Sequence, residues 1–307
     1  ALFGWALTVG FGLLAGLDYF ISTSFGARQL RQCHIYFGQG LWLSVLTGIP
    51  LSAALVWMAQ HLDSIGIHKD VIAETASFLN ILGWGLAPTY LFQACRNYLQ
   101  AMNRPYAPFF ILLAANFANA LFDYIFIFGK GPFPPMGVEG AAWATTLCRF
   151  LMAGSLLAYT YWVGKQCSEK ISLRDLAFKA DAMRKLILLG YPASLQMLLE
   201  MGVFGLSTVL AGGLDPSSLA AHQIVLNIAS TTFMVTLGVG AATAVLVGQA
   251  LGRKNVHEAS AVGWRGLGLS AAFMVVAGFT LVAFPHQILD SFSADPNVLE
   301  LATGLLF

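Results

Sequence analysis

Residues 106–129 read YAPFFILLAANFANALFDYIFIFG, a stretch with one charged side chain, Asp123. A predominantly apolar run of about 20 residues is long enough to cross a bilayer as a helix. It does not alternate polar and apolar residues as a barrel strand would, so its backbone must be satisfied within a helix. Working outward, the same texture recurs at 1–25, 36–60, 72–100, 138–164, 184–211, 218–250 and 258–284, and a further apolar segment opens near 297. Eight complete or nearly complete spans and the start of a ninth are therefore expected. Turn-forming residues fall between them: Gly26, Arg104-Pro105, the stretch GKGPFPPMG from Gly129 to Gly137, Asp215-Pro216, Gly252 and Asp295-Pro296.

Composition agrees. Of 307 residues 57% are hydrophobic and 10% charged, with mean hydropathy +0.71; a soluble domain carries about 25% charged residues. A soluble enzyme is excluded, and a net charge of +1 gives nucleic acid no hold. Cys33, Cys95, Cys148 and Cys167 show no CxxC and no neighbouring His at ligand spacing, so they read as small apolar residues rather than a metal site or disulfides. The opening ALFGWALTVGFGLLAG lacks the basic start and cleavage site of a signal peptide. The chain is expected to be truncated at both ends.

Lys and Arg set the orientation. Arg28 and Arg31, Arg96 and Arg104, six residues between Lys165 and Lys185, and then Arg253, Lys254 and Arg265 lie on alternate connections, against Lys69 and Lys130 on the others, 13 to 2. The first set is therefore cytoplasmic: the loops at 26–35, 101–105, 165–185 and 251–257. The protein is expected in the cytoplasmic (plasma or inner) membrane, crossing it many times.

Shifted by 226 positions, the chain overlays itself. Gly26 falls on Gly252 and GLWLS at Gly40–Ser44 on GLGLS at Gly266–Ser270; with one more residue inserted, Asp63-Ser64 falls on Asp290-Ser291 and Val71 on Val298. Six spans separate the copies, an even number, so both enter the membrane in one direction. This is a parallel repeat of the kind secondary transporters use. The expected fold is an all-α polytopic membrane protein of two parallel six-helix lobes, twelve helices in the parent. The first lobe is 1–165, a cytoplasmic linker 166–183, and the second lobe 184–307. The polar stretch GKQCSEKISLRDLAFKADAMRK (164–185) reads in part as an amphipathic helix.

Polar residues inside the spans need a partner or a task. Asn116, Asn119 and Asp123 are spaced i, i+3, i+7, on one helical face. Thr145 and Thr146 follow on the next span, with Arg149 embedded and read as a structural offset to a carboxylate. Gln196 and Glu200 share a face after Pro192; Gln223 and Asn227 share another, beside His222; Gln93, Asn97 and Gln100 follow Pro88, read as freeing the carbonyl of Trp84. Asn116 also reads as interhelical glue and His222 as a packing residue; Asp18 reads as solvated from the cytoplasmic side. A carboxylate held in lipid must be neutralised, by a proton or by a hard cation such as Na⁺ that amide and hydroxyl oxygens help to ligate. Asp123 lies roughly 25 Å along its helix from the inner end, at 1.5 Å per residue. Asp123 and Glu200 thus place one ionisable group in each half, as an alternating-access antiporter requires.

Four stretches together resemble the multidrug and toxic compound extrusion (MATE) family, in its NorM-like branch. They are GLDYFISTSFGAR (Gly16–Arg28), NFANALFDYIFIFGKGPFPPMGVEGAAWATT (Asn116–Thr146), GYPASLQMLLEMGVFGLSTVLAG (Gly190–Gly212) and AAHQIVLNIASTTFMVTLGVGAATAVLVGQALGRKN (Ala220–Asn255). The resemblance implies a two-lobe antiporter that exports cationic amphipathic drugs and toxic compounds in exchange for inward H⁺ or Na⁺. It carries the first ion site over to Asn119, Asp123 and Thr145 and the second to Glu200. Asn116, Gln196, Gln223 and Asn227 are the expected substrate contacts. Thr23 departs from the family's Gln, which Gln249 keeps in the second half. Neither a cofactor nor a structural metal is expected; Na⁺ at Asp123 or Glu200 is the one metal ion that could bind. The expected partners are small cationic or amphipathic organic molecules and the lipid bilayer, with a monomeric chain. A lipid-linked precursor flippase of the same superfamily would need a basic cavity, and the spans offer Arg149 alone. An intramembrane enzyme would need a motif such as HExxH or GxSxG, and neither is present.

Overall fold

The computed structural model describes residues 2–61, 69–130, 134–166, 169–213, 215–289 and 296–306. Among them the chain forms α1 (Leu2–Gly26), α2 (Leu30–Ala59), α3 (Lys69–Gly83), α4 (Leu86–Ala101), α5 (Tyr106–Phe128), α6 (Gly137–Gln166), α7 (Leu173–Leu176), α8 (Ala180–Gly212), α9 (Pro216–Gly252), α10 (Val256–Ala283), α11 (Pro285–Leu289) and α12 (Pro296–Leu306). Seven of these, α1, α2, α5, α6, α8, α9 and α10, are long and apolar enough to cross a membrane. Phe109, Phe110 and Phe117 on α5 and Val275 and Phe279 on α10 are each more than half exposed. Exposed apolar surface on that scale belongs in lipid, not water. The protein is an all-α membrane protein.

The repeat reaches the backbone. Adding 226 to the start of α2 gives the start of α10, and adding it to the end of α1 gives the end of α9. Between them Arg28 and Lys254, again 226 apart, both take the left-handed conformation at φ 58°. The hydrogen bonds repeat as well: Gln29 N to Ser24 O (2.9 Å) corresponds to Asn255 N to Ala250 O (3.0 Å). Such a turn ends a helix by satisfying its last carbonyls. Asn103 at φ 60° closes α4 the same way, with Arg104 N on Leu99 O at 2.8 Å. The pairs Asp63-Ser64 and Asp290-Ser291, and Cys167, lie outside the described residues.

Two expectations are corrected. The stretch 72–100 is not one helix: α3 ends at Gly83 and α4 starts at Leu86. Pro88 therefore sits in the first turn of α4, where no helical hydrogen bond to Trp84 is lost. The carbonyls exposed by the break lie further back and find hydroxyls on neighbouring helices. Ser52 Oγ of α2 donates to Gly83 O at 2.7 Å, and Thr146 Oγ1 of α6 to Ile81 O at 3.2 Å. The linker, second, is not an amphipathic helix. Between the end of α6 at Gln166 and the start of α8 at Ala180, the helical part of the described residues is the single turn α7, capped by Ser172, whose side chain accepts from Arg174 N.

The linker instead lies on α2. Gln39, fully buried, donates Nε2 to Ala177 O (2.9 Å) and accepts from Lys179 N (2.8 Å). Trp42 Nε1 donates to Leu176 O, and His34 Nε2 reaches Glu169 O at 2.9 Å while Tyr98 Oη meets its Nδ1 at 2.9 Å. Arg31 pairs with the buried Asp175 at 3.1 Å.

Contacts divide the chain into two compact units, Ala1–Leu198 and Leu199–Phe307, the division falling inside α8. The first unit is centred on α1, α2, α4 and α6, with Leu14, Leu17, Ile21, Leu86, Tyr98 and Leu156 fully buried. Within it Ser194 Oγ of α8 donates to Val9 O of α1 at 3.1 Å, and any side chain at Gly12 or Gly190 would overlap the facing backbone; small residues let membrane helices approach closely. The second unit buries Ala221, Ile228, Leu289, Val298 and Ala302. Its α9 starts at Pro216 behind the cap Asp215, which accepts from Ser217 N and Ser218 N. Hydrogen bonds from Ser218, with that from Ser217, hold the Asp215 carboxyl below the usual range.

Candidate functional site

Helix α5 is set between Pro105, which precedes its first turn, and Gly129, which closes it at φ 64°. The three polar residues of α5 do not act alike. Asn116 is exposed and turns back on its own helix, Nδ2 donating to Leu112 O at 3.0 Å. Asn119 and Asp123 are half-buried. Asn119 Nδ2 and Asp123 Oδ1 are buried atoms with no hydrogen-bond partner among the described residues. Cys148 of α6 lies beside both, its thiol within reach of the Asn119 amide and of the Asp123 carboxylate.

Thr145 is half-buried one turn before Cys148, on the same side of α6, while the buried Thr146 faces α3. Asn80 of α3 adjoins the Ile81 carbonyl that Thr146 binds, and its Oδ1 is also buried without a partner. Unsatisfied polar atoms in an apolar surrounding are costly, on the order of 1–3 kcal/mol each. On α5 the unpartnered Asp123 Oδ1 makes a place where a small cation or a proton would find a carboxylate oxygen already desolvated. Cys148, read as a small apolar residue, is also part of this surrounding.

Arg149, expected to offset a carboxylate, pairs with none among the described residues. Its guanidinium carbon lies 4.4 Å from the centre of the Phe3 ring, and its side chain runs across Gly85, where α3 gives way to α4. Its Nη1 is buried and unpartnered.

On α8, Gln196 and Glu200 are both exposed, and Glu200 makes no hydrogen bond or ion pair among the described residues. In the second unit a cavity of about 550 Å³ is lined by Phe204, Gln223, Asn227, Ser230, Phe233 and Met274, among others. It is mostly apolar, with two amides and two hydroxyls in its lining, the make-up of a pocket for a small organic molecule. Gln223 and Asn227 line it together; His222, one residue away, has a buried Nε2 without a partner.

Comparison with known proteins adds a second line. The MatE family model matches residues 1–125 and 192–306. A relative from Mesorhizobium japonicum named "Probable multidrug resistance protein NorM" is 31% identical over 307 residues, covering 98% of this chain and 66% of that protein. One of the same name from Bradyrhizobium diazoefficiens is 36% identical over 274 residues, covering 89% and 57%. The chain thus spans less than two thirds of the length of either relative. A crystal structure of MATE in complex with MaD5 superposes with a TM-score of 0.87 at 20% identity, over 99% of this chain and 68% of that one. At that identity the likeness speaks for the fold.

Proposed function

We infer the function from one premise: this chain belongs to the MatE family. We propose that it acts within a secondary antiporter that exports cationic amphipathic compounds in exchange for H⁺ or Na⁺, by alternating access of two lobes in the cytoplasmic membrane. The observation that carries this reading is the pair of unsatisfied atoms, Asn119 Nδ2 and Asp123 Oδ1, on a membrane helix. A carboxylate in that position is neutralised only by taking up a cation, and uptake and release of a cation is what couples a gradient to transport. Cys148 lies beside both Asn119 and Asp123, with Thr145 one turn before it on the same side of α6. The name of the two relatives, multidrug resistance protein, supports organic cations as the cargo, and the cavity beside Gln223 and Asn227 has the size and polarity to hold one.

For the gradient to do work, the ion must bind the two conformations with different affinity. In liposomes holding the protein, with pH and Na⁺ gradients imposed separately, Asp123→Asn is expected to abolish gradient-driven efflux of a fluorescent organic cation while the protein stays folded. Undiminished efflux would reject Asp123 as the coupling group. Glu200→Gln is expected to weaken binding of the organic cation, and unchanged affinity would remove Glu200 from the site.

A further inference from the structure

A second embedded carboxylate lies outside the site just described. Asp18 is on α1, eight residues before its end at Gly26, roughly 12 Å along the axis at 1.5 Å per residue. Its Oδ1 is buried with no hydrogen-bond partner among the described residues. The facing helix, α4, is docked one turn away: Asn97 Nδ2 donates to Leu14 O at 3.1 Å, and Gln93 Nε2 to Asn97 Oδ1 at 2.8 Å. Next to Asn97 stands Arg96, half-buried, close enough for its charge to act on Asp18. Yet the two form no ion pair, and Arg96 has no other bonded partner among the described residues. On α2, His34 has both ring nitrogens engaged, by Glu169 O and Tyr98 Oη. Arg184 and Lys185 at the start of α8 are exposed.

The internal repeat provides a control. Leu17 packs on Gly40, and the equivalent Thr243 packs on Gly266, so the two copies share this helix crossing. The position equivalent to Asp18 is Ala244, 226 residues on. The fold therefore does not demand an acid there. An arginine that stands near a buried carboxylate without bonding it compensates that charge only in part. One small cation on Asp18 relieves that, and closure of Arg96 onto the carboxylate would drive the cation off.

We propose that Asp18 is a second cation-binding carboxylate of the first half, taking the same small monovalent cation, H⁺ or Na⁺, as Asp123, and that Arg96 competes with that cation for it. This rests on the antiport reading of Asp123, and the test separates the two.

The protein is reconstituted in liposomes and assayed with ethidium, a planar organic cation, for equilibrium binding and for efflux driven by a pH or a Na⁺ gradient. Asp18→Asn is expected to leave ethidium affinity within about twofold and to slow gradient-driven efflux by about tenfold or more, the scale of a typical coupling between sites. Arg96→Gln, which removes the competitor, is expected to make efflux sensitive to inhibition by the coupling ion on the inner side at about fivefold lower concentration. Wild-type efflux in Asp18→Asn alongside a dead Asp123→Asn overturns this proposal alone; wild-type efflux in Asp123→Asn overturns the antiport reading. Should Asp18→Asn fail to fold by size-exclusion chromatography, Arg96→Gln decides, and an unchanged inhibition concentration overturns the proposal.

Discussion

Asn116 and Asn119 are the same residue type three positions apart, and the structure gives them opposite circumstances. Asn116 Nδ2 is spent on Leu112 O, a bond within its own helix, whereas Asn119 Nδ2 is buried and unspent. An amide that bonds back to its own helix adds little to stability, and even hydrogen bonds between membrane helices average only about 0.6 kcal/mol. Asn116→Ala is therefore expected to leave both thermal stability and ethidium efflux near wild type, while Asn119→Ala lowers efflux without unfolding the protein. Equal losses from the two substitutions would show that Asn116 reaches the site after all. Helical spacing made the trio legible as one face, because 3.6 residues per turn is a property of the sequence. Which amide bonds its own helix depends on a rotamer and on what stands opposite, and neither is written in spacing.

At the scale of elements, the spans and their order were legible, because length and apolarity alone decide what can lie in lipid. The break between α3 and α4 and the course of the linker were not. The break falls at Gly83-Trp84-Gly85 inside a mostly apolar run, and the hydroxyls that satisfy its carbonyls, Ser52 on α2 and Thr146 on α6, are remote in sequence. The linker has the charge pattern of a surface helix, but α2 offers its backbone better partners than a helix would. Gln39 is the centre of that contact, bonding both Ala177 O and Lys179 N. Gln39→Ala leaves those two groups without their partner, a cost on the order of 2 kcal/mol. The expected outcome is a lowered thermal midpoint and faster proteolytic cutting within 169–179. A protease pattern unchanged in Gln39→Ala would mean that the linker is held by other contacts, Arg31–Asp175 first among them.

For the whole molecule, hydrophobicity and stability come apart. In water an apolar side chain stabilises a fold by leaving solvent; in lipid it is no worse off on the outside, so packing decides. Leu14 on α1 is fully buried and Phe279 on α10 is 71% exposed, although α10 is the most apolar of the membrane helices. Leu14→Ala removes contacts and leaves a cavity, about 2–5 kcal/mol for a core leucine. Phe279→Ala exchanges contact with lipid for contact with lipid, and the expected cost is under about 1 kcal/mol, the surface range. Thermal unfolding in a mild detergent, followed by loss of the monodisperse peak, measures both. The expected order is a clear fall in midpoint for Leu14→Ala and almost none for Phe279→Ala. Equal falls would mean that protein covers this face of α10 in the membrane, and the lipid-facing assignment of that helix would have to be given up.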